Sequence, residues 1–475
     1  MSKLKSKPAK RNWVNRTVWT GDNLQIMRGM NSESVDLIYL DPPFNSNRTY
    51  AAPVGSEAAG AAFKDTWTLD DVDHAWLGEI DEQMPALCAI IHAAGDSHSD
   101  GMKSYLIMMA VRLLEMKRLL KSTGSIYLHC DDTAVDYLKI LMDVIFESSN
   151  SRGRIVWQRA AGRAKGSQHA PRTFGRDVDY ILHYSRSDAY LHHGIRMELS
   201  EVEMKTKFPH TDRHGRQYNT DVPLFRQPSM GERPNLCYTY KGVTNPHPSG
   251  WRVSRKRLEA MDANGEIIWR DGKRPLRKSF AENYKGKSLG NLWTDIPNIT
   301  GGDEYLGYPT QKPLKLLGRI IRASSNEGDM VLDPFCGCAT APVAAEQLRR
   351  QWVGIDIAAK AADLVQYRLN RNEIGPALCE PIVRDDIPQR TDQGKLPHYG
   401  THLNVLFGKQ GGFCAGYEKF FHKENHTVDH IVPKSKGGTD HLDNLQLLCA
   451  HCNSLKSTGT NIELKAKLKR LKILK

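Results

Sequence analysis

Hydrophobic positions along this chain follow two alternating rhythms. Short continuous apolar runs read as buried strands, and longer segments with apolar residues three and four apart read as helices. The run Leu37-Ile38-Tyr39-Leu40, opened by Asp36 and stopped by Pro42 and Pro43, is the clearest strand. Ser125–His129, Arg154–Gln158, Val178–Tyr184, Gly328–Leu332 and Trp352–Ile357 read the same way. Between them, Leu24, Met27 and Met30 mark a short helix. Lys103–Leu120, ended by Gly124, is a long amphipathic helix, and Ala134–Phe146, Leu314–Ser324 and Ala341–Arg349 give three more. Alternation of this kind predicts an α/β sheet.

The rhythm lapses in four places. Residues 45–101 are rich in Ala, Gly and Asp and read as a long loop with short helices, beside the strand that ends at Asp41. Residues 201–290 carry 18 Lys or Arg, interleaved with Phe208, Tyr218, Phe225, Tyr238, Tyr240, Trp251, Trp269 and Tyr284. A basic, aromatic, turn-rich insert between two halves of a sheet suits nucleic-acid reading, and an ordinary solvated insertion fits the same composition. Residues 376–402, with Pro376, Pro381, Pro388 and Pro397, read as a linker. Residues 403–475 are a separate small unit closed by a Lys/Leu helix from Ile462. The expected organisation is a basic tail (1–15), a first catalytic half (16–200), the insert (201–290), a second half (291–375), the linker and the C-terminal domain.

Charge adds a partner class. The 475 residues carry a formal net charge of +12 and a pI near 9.1, which favours a polyanion. Nine cysteines, an odd number bunched only near the C-terminus, read as reduced thiols in a cytoplasm with one candidate metal cluster. The N-terminal lysines have no apolar segment behind them, so they are not a signal peptide, and no apolar run is long enough to span a membrane.

Candidate chemistry sits where two strands end. Asp41-Pro42-Pro43-Phe44 presents a carboxylate, a proline-fixed carbonyl and an aromatic face together, at the strand edge where open α/β sheets bind ligands. Asp41 and the Pro42 carbonyl can accept hydrogen bonds from a planar exocyclic amine, while Phe44 stacks on its ring. Two acceptors localise the amine lone pair on nitrogen, ready to attack an electrophilic methyl. The second site is Asp333-Pro334-Phe335-Cys336-Gly337-Cys338-Ala339-Thr340, followed by a helix and a strand ending in Asp356. A glycine that lets backbone approach the ligand, with an acid to hold two ribose hydroxyls, suits an adenosyl cofactor. The GxGxxG of dinucleotide enzymes is absent.

Together with Tyr308-Pro309-Thr310-Gln311-Lys312-Pro313, these motifs resemble the S-adenosylmethionine-dependent amino-methyltransferases of DNA, in the permuted order of their β class. The resemblance covers about residues 16–370 and implies a Rossmann-like sheet with a target-recognition insert. It also implies that Asp41, Pro42 and Phe44 grip the target amine. Asp333, Phe335, Gly337 and Thr340 would line the cofactor, Asp356 would hold its ribose, and Thr310 and Lys312 would help close its pocket. Cys338 stands where the family often has a second glycine. Asp at the first catalytic position favours adenine N6 over cytosine N4.

The segment with His426-Thr427-Val428-Asp429-His430, Asp443-Asn444 and Cys449-Ala450-His451-Cys452-Asn453 resembles the HNH nuclease module, a small ββα-metal domain. The resemblance implies Asp429 and Asn453 as ligands of Mg²⁺ or Mn²⁺, His430 as general base, and Asn444 bracing its loop. Many relatives carry two CxxC pairs around a structural Zn²⁺. Here the first pair reads Cys414-Ala415-Gly416-Tyr417, so Cys414, Cys449 and Cys452 lack the fourth thiolate. Either His422 or His426 completes a zinc site, or the site is empty.

The resulting expectation is an adenine-N6 methyltransferase acting on double-stranded DNA, with an appended domain that cleaves or nicks it in a restriction–modification role. Two alternatives stand beside it: a methyltransferase whose C-terminal segment only clamps DNA, and one acting on structured RNA. The recognition sequence and oligomeric state are not encoded legibly.

Overall fold

The computed structural model describes residues 11–44, 48–51, 56, 62–65, 76–77, 80–81, 84–160, 176–308, 310–371, 380–392, 398–436, 440 and 442–471. Residues 1–10 of the basic tail, most of 45–83, Pro309 and Gly437-Gly438 lie outside them; the rest of the expected tail is packed on the fold, with Trp13 buried and Asn12 bonded to the Gly29 carbonyl.

Nine strands form one mixed sheet. They are β1 (Thr17–Thr20), β2 (Val35–Leu40), β3 (Leu120–Cys130), β4 (Ser151–Gln158), β5 (Val178–Ser185), β6 (Leu292–Trp293), β7 (Met330–Asp333), β8 (Gln351–Asp356) and β9 (Ile382–Arg384). Their spatial order is β6-β4-β5-β3-β2-β7-β8-β1-β9. From β3 through β9 every neighbouring pair is parallel, so β2, β7, β8 and β1 all end at one edge. β5 runs antiparallel to β3 and β4.

Because β2 is covered on both faces, it reads as an apolar run rather than an alternation. Ile38 and Leu40 join Ile126, Leu128, Leu332 and Val353 in the main core. That core is shared with α1 (Asn23–Gly29), α2 (Pro85–Ser97), α3 (Asp100–Leu119) and α4 (Val135–Phe146). The opposite face carries α5 (Leu314–Ser324), α6 (Thr340–Gln347) and α7 (Lys360–Arg371), and Tyr127 bonds Ser324 there at 2.6 Å.

Three expectations change. The long helix ends at Leu119, and Gly124 lies inside β3, where a Cβ would stand 2.9 Å from the Asp36 carbonyl. The stretch before it contains a 13-residue helix, α2, within the region expected to be mostly loop. Residues 380–392 are not linker. β9 pairs in parallel with β1, Asn31 bonds Thr391, and Ser32 N–H donates to Asp392.

Residues 194–289 form a compact unit, close to the expected insert. It has a small three-stranded sheet, two short ribbons and helices at Glu201–Lys207 and Arg255–Ala263. Its aromatics are not a free reading surface. Phe208, Phe225 and Trp251 are buried, and Tyr238 stacks on Trp251 at 5.5 Å. Tyr240 and Trp269 are half-buried and both bond Asp262. The insert is too small to close a core without them, which leaves exposed Arg and Lys side chains as its outward chemistry.

The C-terminal domain has α8 (Leu403–Lys409), an antiparallel hairpin of β10 (His426–His430) and β11 (Leu445–Cys449), α9 (Ala450–Lys456) and α10 (Asn461–Arg470). Its apolar residues make two small clusters, one around Cys414, Cys449, Cys452, Leu464 and Leu468, the other around Leu406, Leu445 and Leu447. No described helix is long and apolar enough to cross a membrane.

Candidate active sites

The carboxyl ends of β1, β2, β7 and β8 surround a cavity of about 410 Å³. All ten residues expected at the methyl-transfer and cofactor sites line it: Asp41, Pro42 and Phe44 from the β2 end, Thr310 and Lys312 from the strap before α5, Asp333, Phe335, Gly337 and Thr340 from the β7 loop, and Asp356 from β8.

On the β7 side the loop is held from below. Gly337 has φ +50, in the left-handed region, and its N–H donates to Asp356 Oδ2 at 2.7 Å. An added Cβ there would come within 3.3 Å of the Tyr308 ring. Asp356 Oδ1 accepts from Ala358 N–H at 2.8 Å, so this acid also builds the loop rather than facing only a ligand. Each oxygen keeps a second lone pair for a hydroxyl. Burial pushes the Asp333 carboxyl well above its ordinary value, with the Phe335 N–H opposing at 3.1 Å. Cys338 is buried, and its carbonyl and the Thr340 hydroxyl both accept from Arg368.

On the β2 side Lys312 does more than close a pocket. Its ammonium is ion-paired to Asp41 Oδ2 and lies 5.3 Å from the Phe44 ring. Asp41 Oδ1 is buried without a hydrogen-bond partner among the described residues. A lone acceptor beside an aromatic face is costly unless something donates to it, and it points to a donor ligand.

Several lining groups escaped the sequence reading. Arg112 from α3 reaches Asn23 Oδ1 at 2.6 Å and Asp22 Oδ1 at 2.9 Å, and Asn23 donates to the Pro334 carbonyl at 2.7 Å. These tie the ends of β1 and β7 together. The helix-capping pattern of Gly21-Asp22-Asn23 was the available signal, since Asp22 also caps α1.

A match to the DNA methylase (N6/N4) family model spans residues 35–367, and one to the HNH endonuclease model spans 417–459. The chain belongs to the N6/N4 DNA methylase family. It carries an HNH-family domain at its C-terminal end. Among its relatives is the type II methyltransferase M.EcaI of Enterobacter cloacae, 27% identical over 80% of this chain and 74% of that enzyme. The DNA adenine methyltransferase YhdJ of Escherichia coli K12 is 24% identical over 72% of this chain and 78% of that one. The solved M1.HpyAVI–SAM complex aligns at 14% identity, covering 74% of this chain and 98% of that one, with a TM-score of 0.34.

In the HNH domain, His430 ends β10, and its Nε2 bonds Asp440 Oδ1 at 2.7 Å. Lys434 holds the other Asp440 oxygen, also at 2.7 Å. Asn444 exchanges two hydrogen bonds with the Val432 backbone, at 2.9 and 3.0 Å, which pins the loop after His430. Asp429 Oδ2 accepts from Gln446 at 2.8 Å and pairs with the buried Lys456 ammonium at 2.9 Å. That cation, unforeseen in the sequence, sits on one of the oxygens expected to bind a metal. Asn453 lies in the first turn of α9.

The Cys414, Cys449 and Cys452 sulfurs lie within 4.8 Å of one another, buried. Burial pushes the Cys414 thiol up, but N–H groups of Tyr417, Cys449 and Gly416 turn toward its sulfur and bring it below its ordinary value. Neither proposed histidine joins the cluster: His426 Nδ1 faces the His422 carbonyl at 3.3 Å. Tyr417, in the fourth cysteine's place, bonds His451 instead.

Proposed function

We propose that this DNA methyltransferase transfers the methyl of S-adenosylmethionine to adenine N6, and that its HNH domain cuts DNA as the restriction partner of that modification. The observation that carries the first half is the buried, unpartnered Asp41 Oδ1 beside Phe44, opening on the same cavity as the Gly337 loop. It is an acceptor for one amine hydrogen, with the Pro42 carbonyl for the other. The extruded base stacks on Phe44 while the bound cofactor supplies the methyl as an electrophile. Asp333, Phe335, Gly337, Thr340 and Asp356 hold the cofactor, with Thr310 and Lys312 closing over it. An aspartate at position 41, rather than serine, supports adenine. The test is sequencing for modified bases in a methylation-free host expressing the chain. N6-methyladenine in one recurring sequence is expected. N4-methylcytosine overturns the acceptor, and unmodified DNA overturns the reading.

Gly337→Ala is expected to weaken cofactor affinity about tenfold, or ~1.4 kcal/mol, because alanine disfavours the left-handed backbone and its Cβ presses on Tyr308. Isothermal calorimetry with S-adenosylmethionine reads this directly.

Asp333 gives a pH signature. Its pKa is raised in the folded, free enzyme, so stability from this group is greatest below the ordinary carboxylate range and is lost as pH rises through the raised value. The cationic amino group of the cofactor favours the ionised form, so binding releases a proton and tightens over the same window. Asp333→Asn should flatten the melting temperature of the free enzyme against pH and remove the thermal shift given by the cofactor. Melting curves from pH 5 to 8 check both.

For the HNH domain, Asp429 and Asn453 are the proposed ligands of Mg²⁺ or Mn²⁺ and His430 the base. The three thiols supply three of the four ligands that a structural zinc ion takes, and metal analysis of the purified chain tests whether an ion is held there. The Lys456 ammonium on Asp429 favours a second reading, a domain that grips DNA without cutting it.

A further inference from the structure

Behind Phe44 lies a buried polar chain that the methyl-transfer reading leaves unused. His129, on β3, is fully buried, and Asp179, on β5, nearly so. His129 Nδ1 meets the Tyr39 hydroxyl at 2.9 Å and Nε2 meets Asp179 Oδ2 at 3.1 Å. Burial, the largest single influence, raises the Asp179 carboxyl, but the hydrogen bond to His129 and the surrounding positive charge, Lys312 and Arg159 included, together outweigh it and leave it below its ordinary value. Asp179 is therefore an acceptor, and the nitrogen facing it donates. Arg159 lies 3.1 Å from its other oxygen.

With both nitrogens engaged, the imidazole cannot rotate, and it has no site left to exchange a proton with a substrate. What it offers is its face, turned to Phe44. The Phe44 ring stacks on it, centroids 6.0 Å apart and planes 20° from parallel. Trp157 braces the imidazole edge-on at 5.6 Å and is itself fixed by a 2.7 Å bond from Nε1 to the Ile296 carbonyl. Phe44 and Tyr39 line the cavity, while His129, Asp179 and Trp157 stand behind them.

We propose that His129, locked by Asp179 and Tyr39 and propped by Trp157, is a positioning residue that sets the plane of the Phe44 ring for the extruded base. The inference rests on the methyl-transfer reading above. An aromatic platform returns about 1–3 kcal/mol per stacked base, comparable to the few kcal/mol spent on extrusion. A ring that follows two prolines and is free to tilt would lose much of that gain. A buried hydrogen-bonded imidazole fixes the tilt as an aliphatic side chain could not, because its own rotation is pinned at both nitrogens.

The test uses full-length enzyme and a duplex carrying the sequence found by base mapping. His129→Gln keeps a donor for Asp179 and removes the ring. It should lower kcat at least tenfold while leaving the dissociation constant for S-adenosylmethionine within about twofold. With 2-aminopurine at the target position, S-adenosylhomocysteine and EDTA present, the variant complex should fluoresce severalfold more than wild type, as the base leaves the helix but stacks poorly. A merely structural role would weaken cofactor binding in step with rate and leave the fluorescence unchanged; either that pattern or wild-type kcat and fluorescence overturns the inference. Trp157→Leu, which removes the prop alone, is the second variant, and unchanged fluorescence there also overturns it, whether or not His129→Gln folds. Failure of wild type to methylate any DNA would instead overturn the proposed function.

Discussion

Asp41→Ala is expected to lower methylation by at least a thousandfold, with cofactor binding within a few-fold of wild type. The carboxylate has two roles that alanine cannot fill. Its Oδ1 is the proposed acceptor for the target amine, and its Oδ2 anchors Lys312, whose side chain is almost wholly buried. In the free enzyme the Lys312 ammonium lies between that carboxylate and the Phe44 face, the space a target amine has to enter. Without Asp41 that ammonium stays buried and unpaired, and it repels the positive charge that builds on the amine as the methyl arrives. Loss of one well-placed acceptor costs about 10²–10⁴ in rate, and the unpaired ammonium adds to it. The Gly337 loop, Asp356 and Asp333 are untouched. Methyl incorporation into mapped-site duplex, read beside calorimetry with the cofactor, checks both halves. Substantial methylation by the variant removes Asp41 from the chemistry.

Much of this cavity was legible because its parts sit in short, contiguous motifs at strand ends. Asp41 to Phe44 and Asp333 to Thr340 each declare a strand, a stop and a loop within a few residues, and the fold brings their carboxyl ends to one edge. What stayed hidden is mostly long-range. Arg112 and Asn23 are 89 positions apart and His129 and Asp179 are 50 apart; within their own apolar segments each looks like an isolated polar residue. β9 is three residues among prolines, too short for any periodicity, and it becomes a strand only by pairing with Thr17–Trp19. The insert shows a different failure. Composition revealed its aromatics but not their burial, and Trp251 and Phe225 turned out to be the core of a domain that otherwise has little to bury. Lys456 carries no role legible in the sequence, yet its side chain is fully enclosed and neutralises Asp429.

The second large effect is expected at His430. With Mg²⁺ or Mn²⁺, full-length wild type should nick or linearise unmethylated plasmid carrying the mapped site, and His430→Ala should lower that rate by about a thousandfold or more. Hydrolysis of a phosphodiester needs water deprotonated next to a metal that takes up charge on the phosphate. The imidazole of His430 is aimed from the end of β10 by Asp440 on Nε2 and by the Asn444-pinned loop that follows it, which leaves Nδ1 for the water. Methylation should persist in this variant, because every residue lining the methyl-transfer cavity lies outside 398–471. Lys456 decides how the result is read. If a metal binds at Asp429, the ammonium beside it must yield one oxygen or share the carboxylate, and Lys456→Met should then raise metal affinity. If wild type leaves supercoiled plasmid intact with either metal while methylating normally, the ammonium is standing in for the metal, and the domain is a clamp on the DNA rather than a blade.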